Sequence, residues 1–380
     1  MKIFLCGDVM TGRGIDQILP NPCDPVLHES YAQSAVGYVQ LAEQRNGPIS
    51  RPVEFDYVWG AALDEWERQR PHARVVNLET SITRSEDFEP KGINYRMSPE
   101  NAACLSAAGI DCCALANNHV LDWRAAGLLD TLDVLHRCGI RTAGAGVDLA
   151  EAMAPAVIDI PGEGRLLVLS MACVSSGPPP SWAATADAPG IYFAPSLSEN
   201  AASLAARQLA GVRRPGDVVI VSIHWGPNWG YEIEESQRRF AHALIERAGV
   251  SVVHGHSSHH AKAIEVFQGR LILYGCGDFL NDYEGIEGEE AFRGDLAVMY
   301  FADVDPSSSD LRALDMTPLE IRNFRLARPG THDVDWLQRM LSRESAPFGV
   351  HVARGTDQRL TASWTRRDPT RPRQRKGGSS

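Results

Sequence analysis

Six short apolar runs in this chain each give way to a small polar cluster, built from residue types that bind metals and move protons. Ile3–Cys6 leads to Gly7-Asp8, Arg74–Val76 to Asn77-Leu78-Glu79, and Cys113–Leu115 to Asn117-Asn118-His119. Val218–Ile223 leads to His224-Trp225-Gly226, Ser251–Val253 to the histidine-rich run from His254 to His260, and Leu271–Tyr274 to Gly275-Cys276-Gly277-Asp278. A lone buried His is more often a hydrogen-bonded core residue than a ligand, but one pattern repeated six times points to a site. Asp, Glu, Asn and His at separate strand ends form a mixed oxygen and nitrogen donor set suited to a divalent metal. Hard oxygen donors favour calcium, manganese or magnesium, and the imidazoles keep zinc and iron open.

Other catalytic plans fit less well. The chain has only four lysines, Lys2, Lys91, Lys262 and Lys376, and of these only Lys262 lies near the clusters, which disfavours a pyridoxal Schiff base. It has no Walker loop, Gly12-Arg13-Gly14 is too short for a dinucleotide fingerprint, and Gly-x-Ser-x-Gly is absent. The eight cysteines are scattered with no CxxC pair, so a structural zinc ribbon is excluded and reduced core thiols are expected.

The elements that must position these residues alternate in type. Besides the six runs, Leu166–Ser170, Ile264–Phe267, Leu296–Phe301 and Leu319–Leu326 read as strands. Helical periodicity places Ala125, Leu128, Leu129, Leu132 and Leu135 on one face, recurs from Ser236 to Ala248, and returns over Val334–Arg343. Alternating strands and helices predict a layered α/β fold whose later, closely spaced strands make part of the sheet mixed. In open α/β sheets ligands bind beyond the carboxyl ends of strands, so the clusters should meet on one rim. Residues 15–56 and 174–195, rich in proline, read as long functional loops or surface excursions.

Size and charge narrow the class. The 380 residues, 44% apolar, can fill a large core, and the net charge of −11 argues against nucleic-acid or anionic-membrane binding. No apolar run reaches membrane-spanning length and no signal peptide precedes Ile3, so a cytoplasmic location is expected. The expected organisation is a catalytic domain over 1–302, an extension packed on it over 303–362, and a disordered basic tail over 363–380.

Gly7-Asp8-Val9-Met10-Thr11-Gly12-Arg13, Asn77-Leu78-Glu79-Thr80, Ala116-Asn117-Asn118-His119, Ile223-His224-Trp225-Gly226, Gly255-His256 and Tyr274-Gly275-Cys276-Gly277-Asp278-Phe279 together resemble the capsule-biosynthesis CapA family over roughly residues 1–300. The resemblance implies a calcineurin-like metallophosphoesterase fold: a two-layer mixed β-sheet core flanked by helices, with metal at the strand ends. The chain departs from that pattern at its first motif, where Val9 and Met10 follow Asp8 in place of Asp-x-His, and Glu79 stands where the family has a bridging aspartate. One metal is therefore expected, held by some of Asp8, Glu79, Asn118, His224, His254 and His256.

A branch resembling CapA acts on lasso-peptide precursors as peptide epimerases. That resemblance implies a metal-dependent, pyridoxal-independent epimerase inverting a Cα centre, such as a C-terminal Trp, of a ribosomal precursor peptide. Proton removal from such a carbon requires charge stabilisation at the neighbouring carbonyl and acid–base groups beside it. The candidates are His119, Asp8, His224, Asp278 and Asp295, with Trp182, Trp225, Trp229 and Tyr231 as substrate contacts. The alternatives are a metallophosphoesterase-type hydrolase and a capsule or poly-γ-glutamate synthesis protein.

Overall fold

A computed structural model describes residues 1–365. Of the expected disordered tail over 363–380, residues 366–380 lie outside the described residues, and Ser363 and Trp364 belong to the last strand, Leu360–Trp364.

The principal strands are β1 (Lys2–Val9), β2 (Ala73–Leu78), β3 (Cys112–Ala114), β4 (Arg141–Ala143), β5 (Ala156–Ile160), β6 (Gly164–Cys173), β7 (Val218–His224), β8 (Val252–His256), β9 (Ile264–Phe267), β10 (Arg270–Leu273), β11 (Asp278–Leu280), β12 (Leu296–Val304), β13 (Leu311–Ile321), β14 (Val350–Arg354) and β15 (Leu360–Trp364). The first sheet runs β14-β15-β13-β12-β1-β2-β3-β4, with β11 beside β1. It is parallel from β1 to β4 and antiparallel from β1 out through β12 and β13. The second sheet runs β6-β7-β8-β10-β9, with β5 antiparallel to β6 and a parallel centre.

The two sheets pack face to face. Strand pleating explains how: along β1, Ile3 and Leu5 enter the core shared with Val168, Ile220, Val252 and Leu271, while Phe4 and Cys6 face the other way. On the outer face of the first sheet lie α1 (Val36–Asn46), α2 (Ala61–Gln69) and α3 (Arg124–Arg137), contributing Val39, Trp66, Leu128, Leu132 and Leu135. On the outer face of the second sheet lie α4 (Glu199–Ala210) and α5 (Glu235–Ala248), contributing Ala202, Leu209, Phe240 and Leu244. The result is the expected mixed two-sheet core flanked by helices.

Local sequence fixes α5 at both ends. Glu234 and Gln237 form a reciprocal capping box, and Gly249 ends the helix at φ 61°, where the missing Cβ removes the left-handed penalty. That sharp exit returns the chain into β8. The α6 helix (Thr331–Ser345) turns Val334, Leu337 and Leu341 into the inter-sheet core.

Residues 303–362 do more than pack on the core. β13 pairs with β12 along most of its length, and β14 and β15 continue the same sheet, so this segment supplies a sheet edge. Leu319–Leu326 is not a single strand: it takes in the end of β13, a turn, and the first residue of a two-residue strand, Leu326–Ala327, that pairs back on β13. The proline-rich 15–56 stretch contains α1. All eight cysteines are free. Among the described residues no helix is long and apolar enough to cross a membrane.

A close backbone approach lies where β1 crosses the turn into β11. A Cβ on Gly7 would sit 1.7 Å from the Gly277 carbonyl oxygen, and that same carbonyl accepts the Asp8 amide at 2.9 Å. Overpacking of a filled interior costs about 1–3 kcal/mol, and here the obstacle is backbone. Gly7→Ala is expected to lower unfolding free energy by about 3 kcal/mol or more. Urea denaturation within about 0.5 kcal/mol of the parent would contradict the tight crossing.

Candidate metal and acid–base site

The inner-face pattern of β7 and β8 changes from apolar to polar at their carboxyl ends. Val218 and Ile220 are followed on the same face by Ser222 and His224, and Val252 by His254 and His256. His224 and His256 are register partners, as are Asp8 and Asp278. Asp8, His224, His254 and His256 therefore stand within the strands, held by the ladder, rather than in the turns beyond. Glu79, Asn118 and His119 do come from loops following β2 and β3.

Asp8, His224 and His256 can each offer a ligand atom within 4.8 Å of the others, and all three are buried. His256 Nδ1 lies 3.7 Å from Asp8 Oδ1 and 2.7 Å from His224 Nδ1. His224 Nε2 lies 2.8 Å from Asn118 Oδ1 and 3.9 Å from Glu79 Oε1. Asp8 is oriented by the Asn77 amide at 2.8 Å and the Ser257 backbone amide at 3.1 Å. Asn117 donates to Asn77 Oδ1 at 3.2 Å and accepts from the His119 and Val120 amides, which ties the β3 loop to the same support.

Burial sets the charge state of this cluster. Burial, with Asp278 beside it, pushes Asp8 up to about 7. Burial and the charges of Asp8 and Asp278 hold Glu79 well above the usual carboxylate range. Burial and neighbouring imidazoles keep His224 and His256 far below the usual histidine range, so both are neutral donors. Glu79 Oε2 is buried without a hydrogen-bond partner. An orphaned carboxylate oxygen, crowded acids and neutral imidazoles are the donor chemistry of a divalent ion, and the residues fit one. Asp8, His224 and His256 would hold it, with Glu79 beside them, whereas Asn118 Oδ1 sits at His224 Nε2, the ring nitrogen that does not face His256.

His254 has a different place. Its Nδ1 meets Ser222 Oγ at 3.0 Å and its Nε2 meets the Cys6 carbonyl at 2.7 Å, which leaves no ring nitrogen for a metal.

A cavity of about 280 Å³ opens beside this cluster, lined by Glu79, Lys91, Tyr95, His119, His259 and Tyr283 among others. His119 Nδ1 bonds Asp122 Oδ2 at 2.7 Å, so Nε2 faces Glu79 Oε1 at 3.8 Å. Burial drives His119 down to about 4 against the pull of Asp122, which keeps its ring neutral. Lys91 pairs with Asp122 at 2.7 Å. On another part of the wall, His259 Nδ1 bonds Asp278 Oδ1 at 2.9 Å, and Asn281 holds the second oxygen at 2.7 Å. Against the penalty of burial, Asp278 raises His259. Tyr95 packs edge-on against His119, and its hydroxyl meets that of Tyr283 at 2.5 Å.

Four candidates lie apart from this cluster. Asp295 is exposed and bonded through both oxygens to Arg293. Trp225 follows inward-facing His224, so it points outward into the α5 layer and donates to the Tyr274 carbonyl. Trp182 is buried, with the Lys91 ammonium 5.1 Å from its ring. Tyr231 packs on His260 and Phe292. Trp229 stands nearer, 5.3 Å from the His259 ring. Lys91, Tyr95 and Tyr283 had no sequence signal, since only tertiary folding brings them to the cavity; Asp122 was legible as the carboxylate three residues after His119.

The family model for bacterial capsule synthesis protein PGA_cap matches residues 2–283. A probable polyglutamine synthesis accessory protein of Mycobacterium tuberculosis is 46% identical over 363 residues, covering 95% of each chain. The PGA biosynthesis protein CapA of Bacillus subtilis is 26% identical over 284 residues, covering 73% of this chain and 62% of its own. The crystal structure of a novel phosphatase of Mycoplasma pneumoniae aligns over 87% of this chain and 95% of its own, at TM-score 0.48 and 12% identity.

Elemental analysis of the purified protein, metal-loaded and desalted, is expected to find one tightly held divalent ion per chain. His224→Ala and His256→Ala should each weaken it by about 100-fold. Two tightly held ions, or full retention in both variants, would refute this site.

Proposed function

The chain belongs to the bacterial capsule synthesis protein PGA_cap family, and we propose that it is a metal-dependent hydrolase-type enzyme of polyglutamyl polymer synthesis. The observation that carries this reading is the joining of two features in one cavity: a buried cluster with metal-donor chemistry, and a proton acceptor, His119, aimed beside it. The M. tuberculosis relative, named as a polyglutamine synthesis accessory protein, supplies the substrate class.

When bound, a divalent ion supplies Lewis acidity toward an acyl or phosphoryl oxygen. The remaining work falls to side chains. Asp122 fixes the His119 tautomer by accepting from Nδ1, leaving the Nε2 lone pair facing the cavity to take a proton from water or substrate. Lys91 balances the Asp122 charge, so His119 accepts that proton without a full ion pair already in place. Tyr95 and Tyr283 narrow the cavity and direct a phenolic pair toward it, which suits a slender polyamide chain.

A second reading, inversion of a Cα centre in a peptide such as a ribosomal precursor, is favoured by one observation. The histidines of two His–Asp pairs, His119–Asp122 and His259–Asp278, line the same cavity, as removal and return of a proton on opposite faces would need.

The test is incubation of the Mn²⁺-loaded protein with poly-γ-glutamate and polyglutamine oligomers, with bis(p-nitrophenyl) phosphate in parallel, all in deuterated water. Shortened oligomers are expected. Cα deuteration with intact length would instead establish the epimerase reading, and phosphodiester turnover alone would establish phosphoester hydrolysis. His119→Asn should lower kcat by about 10²–10⁴-fold while leaving the bound ion in place. Unchanged kcat in that variant would remove His119 from the chemistry.

A further inference from the structure

Behind the cluster, a chain of four groups passes from β1 through β8 to β7 and back to β8. His254 Nε2 lies 2.7 Å from the Cys6 carbonyl oxygen, and its Nδ1 lies 3.0 Å from Ser222 Oγ. The same Ser222 oxygen lies 2.9 Å from His256 Nε2. Cys6, Ser222, His254 and His256 are all 0% exposed.

The direction of each bond follows from its fixed end. A carbonyl oxygen has no proton, so His254 Nε2–H is the donor to Cys6. Sealed from solvent, His254 is neutral, and its Nδ1 is therefore an acceptor. Only the Ser222 hydroxyl can donate to it. Having spent its single proton there, Ser222 Oγ must accept from His256 Nε2–H. That leaves His256 Nδ1 bare, facing Asp8 Oδ1 at 3.7 Å and His224 Nδ1 at 2.7 Å. Asn118 Oδ1, 2.8 Å from His224 Nε2, sets the second ring in the same way. Two bare nitrogens this close repel unless a cation lies against both.

We propose that Cys6, His254 and Ser222 form a one-way hydrogen-bond relay that locks His256 in the Nε2–H tautomer, so that its Nδ1 is preset as a cation donor. His254 is thus a positioning residue acting through Ser222. The proposal rests on the metal-binding part of the functional reading and not on its substrate.

The experiment uses full-length protein labelled with ¹⁵N-histidine. In the metal-free form, long-range ¹H–¹⁵N spectra identify the tautomer of each ring, with His256 assigned from the spectrum of His256→Gln. Wild type should show His256 as Nε2–H. Ser222→Ala removes the acceptor and should give mixed tautomers, with affinity for Mn²⁺ and Zn²⁺ about 10–100-fold weaker by calorimetry. Ser222→Thr keeps the hydroxyl and should restore both the spectrum and the affinity. An Nδ1–H tautomer in wild type, or undiminished affinity in folded Ser222→Ala, would overturn the relay. If Ser222→Ala does not fold, the wild-type tautomer alone decides. Loss of polyglutamyl turnover with the tautomer and affinity as expected would sink the substrate reading and leave the relay standing.

Discussion

The structure depends on one constraint: two sheets packed face to face leave no water to satisfy whatever projects between them. Over most of the gap the answer is aliphatic, as with Ile3, Val168, Ile220 and Val252. At the carboxyl ends the inward positions turn polar, and each polar atom must find a partner or an ion. Asn77, Asn117 and Ser222 meet most of this need from within. Glu79 Oε2 is left over, and the site forms around that deficit.

The same constraint separates direct participants from supports. His224 and His256 share a face and a register position, so the ladder holds their rings together without any contribution from loops. Asn118 and His119 arrive on a loop, and a ladder of amide hydrogen bonds from Asn117 compensates for its lack of strand pairing. Preorganisation of this kind is what a site needs if geometry, not later adjustment, is to set its chemistry.

Much of the fold and most of the candidate cluster could be read from local sequence. Strand-then-polar transitions located Asp8, Glu79, Asn118, His224 and His256, because apolar runs and their ends are local signals. Pleat parity was the signal left unread. Counted in steps of two, Val252, His254 and His256 share a face, and Trp225 must oppose His224; this moves Trp225 into the outer core. The joining of β13, β14 and β15 to the sheet was not legible, since strand partners hundreds of residues from β1 leave no mark in a local window. Nor could composition place Lys91 or Tyr283, whose approach to the cavity depends on loop paths. Asp295 carried the right residue type, but its neighbour Arg293 claims both oxygens.

The crossing of Gly7 and Gly277 has a mechanical consequence. Because β1 is in backbone contact with the turn that leads from β10 into β11, the strand that bears Asp8 is tied to the crossover between the two sheets. The rim is built differently, since Lys91, Tyr95 and Tyr283 are carried by loops. The molecule is thus made like a gauge with adjustable jaws: the chemistry at its base is anchored in strands, and diversity in what it accepts is written into the segments above it.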